Sequence, residues 1–282
     1  MARKQVTDMS AWPSLSLEGN LIAPAMIAKL VSFAADEQSE ESYGIRKGLT
    51  IREEISLAFR VGQSHFDAFA KMEHPSAEAT RRFVRAFLNE TFGFADLADS
   101  SGAIALIAGD RVPIVIVPPY EALDRRSPTL STDRSRSPAF ALQDYLNDSD
   151  NALWGLVTNG AQLRLMRDNA SLTRPAYIEA DLAQIFGNED AASFAALWLT
   201  IHRSRFGAKG RRPPTAHWSA GEMPARAKAR WRATGWRAKS RSRSAYSVRA
   251  SSKPTPISPR ELNPASCRSP PGSTNCSGLS IA

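Results

Sequence analysis

The chain has 282 residues with 36 Lys+Arg against 28 Asp+Glu, a formal net charge of +8 that, taken whole, suggests a basic nucleic-acid binder of one or two domains. The average conceals a division: residues 206–282 hold 15 basic residues and two acids, Glu222 and Glu261, leaving 21 basic against 26 acidic residues upstream. The tail is therefore +13 and the remainder −5, so whole-chain charge excludes nothing by itself. No apolar run reaches the ~20 residues needed to cross a bilayer. The N-terminus lacks an apolar core followed by a small-residue cleavage site. Cys267 and Cys276, with eight residues between them, match no common zinc spacing and give no disulfide framework. The expected compartment is the cytoplasm, with no membrane partner.

Three regions are expected: a flexible N-terminus over 1–20, an α/β domain over 21–206, and a disordered basic tail over 207–282. Leu21 to Ala35 reads as an amphipathic helix, interrupted by Pro24 and Lys29. Ile51, Ile55, Ala58, Phe59, Gly62, Phe66 and Phe69 recur at steps of three and four and predict a helix to about Met72, stopped by Pro75. Ser76 is the predicted N-cap of the next helix, whose buried stripe is Phe83, Phe87 and Leu88 and whose end is marked by Phe92-Gly93-Phe94.

Ala103 to Ala108 and Val112 to Val117, rich in β-branched residues and separated by Gly109-Asp110-Arg111, predict a hairpin ended by Pro118-Pro119. Asp124 to Pro138 has no periodicity and reads as a surface loop. A helix from about Ala139 to Leu146 follows. Next, two strand-like runs, Leu153 to Thr158 and Leu163 to Met166, flank Asn159-Gly160, the dipeptide best suited to a tight hairpin turn. A strand at Tyr177 to Ala180 and helices around Leu182 to Phe186 and Ala191 to His202 complete the α/β pattern. Trp154 and Tyr145 are expected in the core. His65, His74 and His202 have no metal or triad spacing and are expected partly exposed on helices.

The string WGLVTNGAQLRLMRDNASLTRPAYIEADLAQIF, preceded by LQDYLN, resembles the N-terminal region of type IIG restriction-modification proteins. In these, a nuclease-like module precedes an adenine-specific DNA methyltransferase and a target-recognition region. The resemblance spans roughly Phe59 to Phe206 and is most specific from Leu142 to Phe186. It implies a restriction-endonuclease-like core of the PD-(D/E)xK type, running helix, strand, strand, helix, strand. Such nucleases use an Asp and, on the following strand, Glu-x-Lys, because two carboxylates hold a divalent metal while the lysine assists the attacking water.

Asp110 stands where the Asp, and with it a metal ligand, is expected. The next strand reads Val115-Ile116-Val117, with neither carboxylate nor lysine. Glu121 and Asp124 follow the diproline without a lysine two positions on, and Glu90 is the candidate auxiliary ligand. Val117-Pro118-Pro119-Tyr120 is one residue from the Asn-Pro-Pro-Tyr tetrapeptide of adenine methyltransferases. Valine, however, cannot accept the hydrogen bond that this chemistry needs. The expectation is a catalytically silent nuclease-like or scaffold module with no cofactor of its own, S-adenosylmethionine belonging to the intact family protein and DNA being that protein's partner. One alternative is a residual Mg2+-dependent endonuclease using Asp110, Glu90 and Glu121. The other is a nucleic-acid-binding protein acting through its tail.

The tail invites a further explanation. Strings such as KARWRATGWRAKSRSRS are what a GC-rich gene yields when translated out of frame. Codons begun one nucleotide earlier allow Trp218 to Ala229 to spell LERWRDAGTREG, a sequence of globular texture. The expected event is a frameshift between about Gly207 and Ala216, after the family-like Ser-Arg-Phe-Gly segment Ser204 to Gly207.

Overall fold

A computed structural model describes residues 9–19, 21–35, 38–130, 136–149, 151–168 and 176–207. The proposed out-of-frame tail lies outside the described residues, apart from Gly207. No helix among the described residues is long and apolar enough to cross a membrane.

Chain order begins with strand β1 (Leu15–Glu18), helix α1 (Pro24–Val31) and a single-turn helix α2 (Glu40–Tyr43). Two long helices follow, α3 (Ile51–Ala70) and α4 (Ala77–Phe92), then three strands, β2 (Leu97–Asp99), β3 (Leu106–Ala108) and β4 (Val112–Ile116). Helix α5 (Pro138–Asp148) leads to β5 (Trp154–Thr158), β6 (Gln162–Arg167) and β7 (Tyr177–Asp181). Helices α6 (Leu182–Gly187) and α7 (Ala191–Ile201) and a 3-10 turn at Arg203–Phe206 close the described domain.

Local chemistry accounts for the helix starts. Thr50 and Glu53 form a reciprocal capping box at α3, and the Ser76 and Ser137 hydroxyls accept from backbone N–H groups at the starts of α4 and α5. Pro138 fits the first turn of α5, where its missing N–H has no intrahelical partner anyway. The Asp190 carboxylate caps α7 and also accepts from Ser14, at 2.7 Å.

All seven strands form one mixed sheet in the order β1-β7-β6-β5-β4-β3-β2. Every neighbouring pair is antiparallel except β4 and β5, which run parallel in the register Ile114 to Leu156, Val115 to Val157 and Ile116 to Thr158. A parallel pair cannot be closed by a tight turn, and α5 lies in the crossover.

The main core unites one sheet face, including Ile114, Leu156, Leu165 and Ile178, with apolar residues of α1, α2, α3, α4, α6 and α7. Its centre is aromatic: Phe69 and Phe83 stack with ring centres 4.2 Å apart, and Phe87 meets Phe83, Phe92 and Phe186. Gly62 permits the close approach of α3, since a Cβ there would come within 3.0 Å of Phe186 and 3.1 Å of Thr91. A smaller cluster on the opposite face packs Val115, Val117 and Val157 beneath Leu142 and Leu146 of α5.

Several sequence expectations change. Leu15–Glu18, inside the segment expected to be flexible, pairs with β7 as the sheet edge. Four residues are too few for their two-residue alternation to stand out. The unanticipated β2 is shorter still, at three residues. The first apolar stretch forms a helix only from Pro24 to Val31. Tyr145 is half-exposed, while Trp154 is buried as expected. His202 follows α7, partly exposed as expected, with its ring tilted against those of Trp198 and Tyr43 at centre distances of 4.4 and 5.6 Å. Burial and the adjacent Arg205 and Arg203 lower its pKa to about 4. Phe194, Leu197, Trp198 and Ile201 of α7 are each at most 1 % exposed within the main core.

Candidate functional site

Among the described residues, a polar network lies beyond the carboxyl ends of the parallel pair β4 and β5, where the chain leaves the sheet at Pro118-Pro119. A turn closed by Glu121 N–H on the Pro118 carbonyl, at 3.0 Å, folds the chain back. The carboxylate of Glu121 is buried and accepts hydrogen bonds from the hydroxyls of Ser127 and Thr129. Leu123 enters the smaller apolar cluster, and its carbonyl accepts from the first turn of α5 at 3.0 Å.

The β5–β6 turn meets the same loop. Asn159 Oδ1 accepts from the N–H groups of Ala161 and Gln162 at 3.1 and 2.8 Å, and its Nδ2 donates to the Glu121 carbonyl at 3.0 Å. Gly160 supplies the positive φ of 86° that the turn requires, and a Cβ there would lie 2.6 Å from the Phe69 ring. The Asn-Gly signal thus marks the predicted turn, while the asparagine amide also ties two loops together.

Arg164 completes the network from the middle of β6. It stands opposite Glu179 of β7 in the strand register and is 3 % exposed. Its Nε donates to Glu179 at 2.7 Å, its Nη1 and Nη2 grip both oxygens of Asp124 at 2.7 and 2.9 Å, and the guanidinium carbon lies 3.9 Å from the centre of the Tyr177 ring. Burial alone would lower the Arg164 pKa, but the bonds and charges of Asp124 and Glu179 outweigh it and raise it. The same bonds hold the Asp124 carboxyl below its usual range, and burial raises the Tyr177 hydroxyl despite the opposing arginine. A guanidinium placed out of water needs this kind of compensation.

The sequence-predicted carboxylates are not brought together. Asp110 occupies the left-handed position of the β3–β4 turn, with φ of 60°. Glu121 follows the other end of β4, so the strand, rising about 3.3 Å per residue, separates them. Glu90 sits near the end of α4, more than half exposed, with Oε2 2.9 Å from Nε2 of His65 on α3. All five β4 residues are buried and apolar, Pro113 included. Among the described residues no group of three or more His, Cys, Asp or Glu side chains is placed to hold a metal ion.

Chemically the network is a strap. Each oxygen of Glu121 accepts from a hydroxyl and each oxygen of Asp124 from a guanidinium N–H, so both carboxylates are engaged in holding the loop. Sequence reading missed Arg164, Glu179 and Tyr177. The signal present in the sequence is an arginine interrupting the apolar run Leu163, Leu165, Met166, with a glutamate at the matching place in the next strand. The chain matches no protein-family profile, no curated protein and no solved structure.

Proposed function

We propose that residues 21–206 are the nuclease-like or scaffold module of a DNA restriction-modification protein of the type IIG kind, catalytically silent and acting in the cytoplasm. The observation that carries this reading is topological. Helix α4, strands β3 and β4, helix α5 and strand β5 keep the helix, strand, strand, helix, strand order of the PD-(D/E)xK core, with the short β2 inserted between α4 and β3 and β5 returning parallel beside β4 across a helix. The resemblance of Leu142 to Phe186 to that family supports the same assignment. Silence is supported by β4, where buried apolar residues stand in place of the metal-binding glutamate and the lysine of that core, and by Asp110 and Glu121 lying beyond its opposite ends. DNA is the partner of the assembled protein, and this module requires neither Mg2+ nor S-adenosylmethionine.

A supercoiled-plasmid assay with Mg2+ or Mn2+ tests this directly. No cleavage above a buffer control is expected. Metal-dependent nicking that disappears in Asp110→Ala would instead establish the residual nuclease. The proposed frameshift is tested on the DNA between the codons of Arg205 and Thr215: moving the frame by one base there should open a long reading frame, and failure to do so would remove the frameshift.

A further inference from the structure

The loop from Pro118 to Leu130 sorts its side chains into two sets. Glu121, Leu123 and Ser127 are buried, and Asp124 is held in the two-pronged grip of Arg164. Facing water are Tyr120, which is 71 % exposed, and the exposed pair Arg125 and Arg126. Their side chains make no hydrogen bond, ion pair or ring contact with any described residue. Two successive turns, Glu121 N–H to the Pro118 carbonyl at 3.0 Å and Arg125 N–H to the Ala122 carbonyl at 3.3 Å, bring this aromatic ring and the two cations into one short segment.

A loop that only had to cover the sheet end would not need so exposed an aromatic side chain. Glu121 is buried under two hydroxyls, and Asp124 is paired with Arg164, which it shares with Glu179. The segment's cations without such a pairing among the described residues are Arg125 and Arg126. The anchoring beneath them, through Arg164 and Asn159, fixes the backbone in advance, which lowers the ordering cost of binding. A rigidly held loop on a sheet scaffold is a common place for recognition.

We propose that this strapped loop is a contact element for single-stranded DNA, with Tyr120 stacking on an unpaired base and Arg125 and Arg126 meeting its phosphates. An exposed aromatic face beside guanidinium groups suits this ligand, since every base offers a π-face and every nucleotide a negative charge. Asp124 is the positioning residue that holds the display in place. The proposal rests on the reading of the module as part of a DNA-handling protein, but it does not depend on catalytic silence.

The test uses the full chain and a fluorescent 20-nucleotide oligo-dT, with anisotropy measured across a salt series. Tyr120→Ala is expected to weaken binding by about 5- to 100-fold. Replacing both arginines, as Arg125→Gln with Arg126→Gln, should flatten the slope of log affinity against log salt by about 1.4, or about 0.7 for each phosphate no longer neutralised. Asp124→Asn separates display from bulk attraction. It makes the chain more positive by one charge, so non-specific attraction, including that of the basic tail, would strengthen binding, whereas loss of the strap should weaken it.

Should Asp124→Asn unfold, the variants at the three exposed, unpartnered side chains still decide the matter. Unchanged affinity and slope in both would overturn the proposal. So would equal binding of duplex DNA of the same length with Tyr120→Ala silent. Either failure leaves the plasmid-cleavage result standing, and cleavage would overturn silence without touching the loop.

Discussion

The two faces of the sheet are stabilised by different physics. On one, six helices bury a continuous aromatic and aliphatic core in which Phe69, Phe83, Phe87, Phe92, Phe186 and Phe194 meet stacked, edge to face or tilted. On the other, one helix covers β4 and β5, and β6 and β7 present Arg164, Tyr177 and Glu179 to a loop tied down by ionic and hydroxyl bonds. The first face draws on summed apolar area, to which many residues contribute. The second depends on a few groups that must all be present, because each leaves a buried partner behind when removed. The aromatic face thus sets global stability, and the polar face sets the conformation of one loop.

That contrast can be broken or sharpened by substitution. The largest effect is expected on the aromatic face, where Phe87→Ala should cost about 3–5 kcal/mol in denaturant unfolding. A loss below about 1 kcal/mol would mean that the core is not close-packed there. Arg164→Met comes next, at about 3 kcal/mol, since it strands Glu179, which is 16 % exposed. Adding Glu179→Leu should restore much of that loss, which an apolar-core mutant cannot do.

Acid comes third. His202 binds its proton at about pH 4 in the fold against an ordinary 6.5, so between these values the unfolded chain holds more protons and stability rises with pH. Acidification from pH 6.5 to 5 should therefore cost about 1.5 kcal/mol. His202→Gln should remove that dependence in a series of thermal melts. The carboxylates with lowered pKa, Glu53, Asp124 and Asp190, lose their contribution as pH falls below their ordinary values of 4.5 and 3.8, which leaves the interval from pH 6.5 to 5 to the histidine. The smallest global effect belongs to Asp124→Asn, whose side chain is 65 % exposed. A cost under about 1 kcal/mol is expected, together with faster hydrogen exchange confined to the loop after β4. Unfolding of the whole domain would contradict the division between the faces.

Legibility in the sequence follows the same division. Helices α3 and α4 and the β3–β4 and β5–β6 hairpins were readable because their signals are local: apolar residues at helical spacing, Ser76 before a helix, and Gly-Asp and Asn-Gly between apolar runs. Edge strands β1 and β2 carried too few residues to show a period. Arg164 and Asp124 lie 40 positions apart, and their pairing depends on β6 lying beneath the loop that follows β4, which no window of sequence contains. His202 resembled an ordinary helix-end residue because the tyrosine ring tilted against it, Tyr43, comes from a distant part of the sequence. Asp110 and Glu121 looked close along the chain, and β4 places them beyond its opposite ends.

The central proposal is that this seven-stranded mixed sheet carries no divalent-metal site. Titration of the full chain with Mn2+, followed by electron paramagnetic resonance of the free ion, tests it most directly. The predicted result is a free-ion signal that tracks added Mn2+ without a saturable step. One stoichiometric site at micromolar Mn2+, lost in Asp110→Asn, would contradict the claim and restore the carboxylates to a catalytic role.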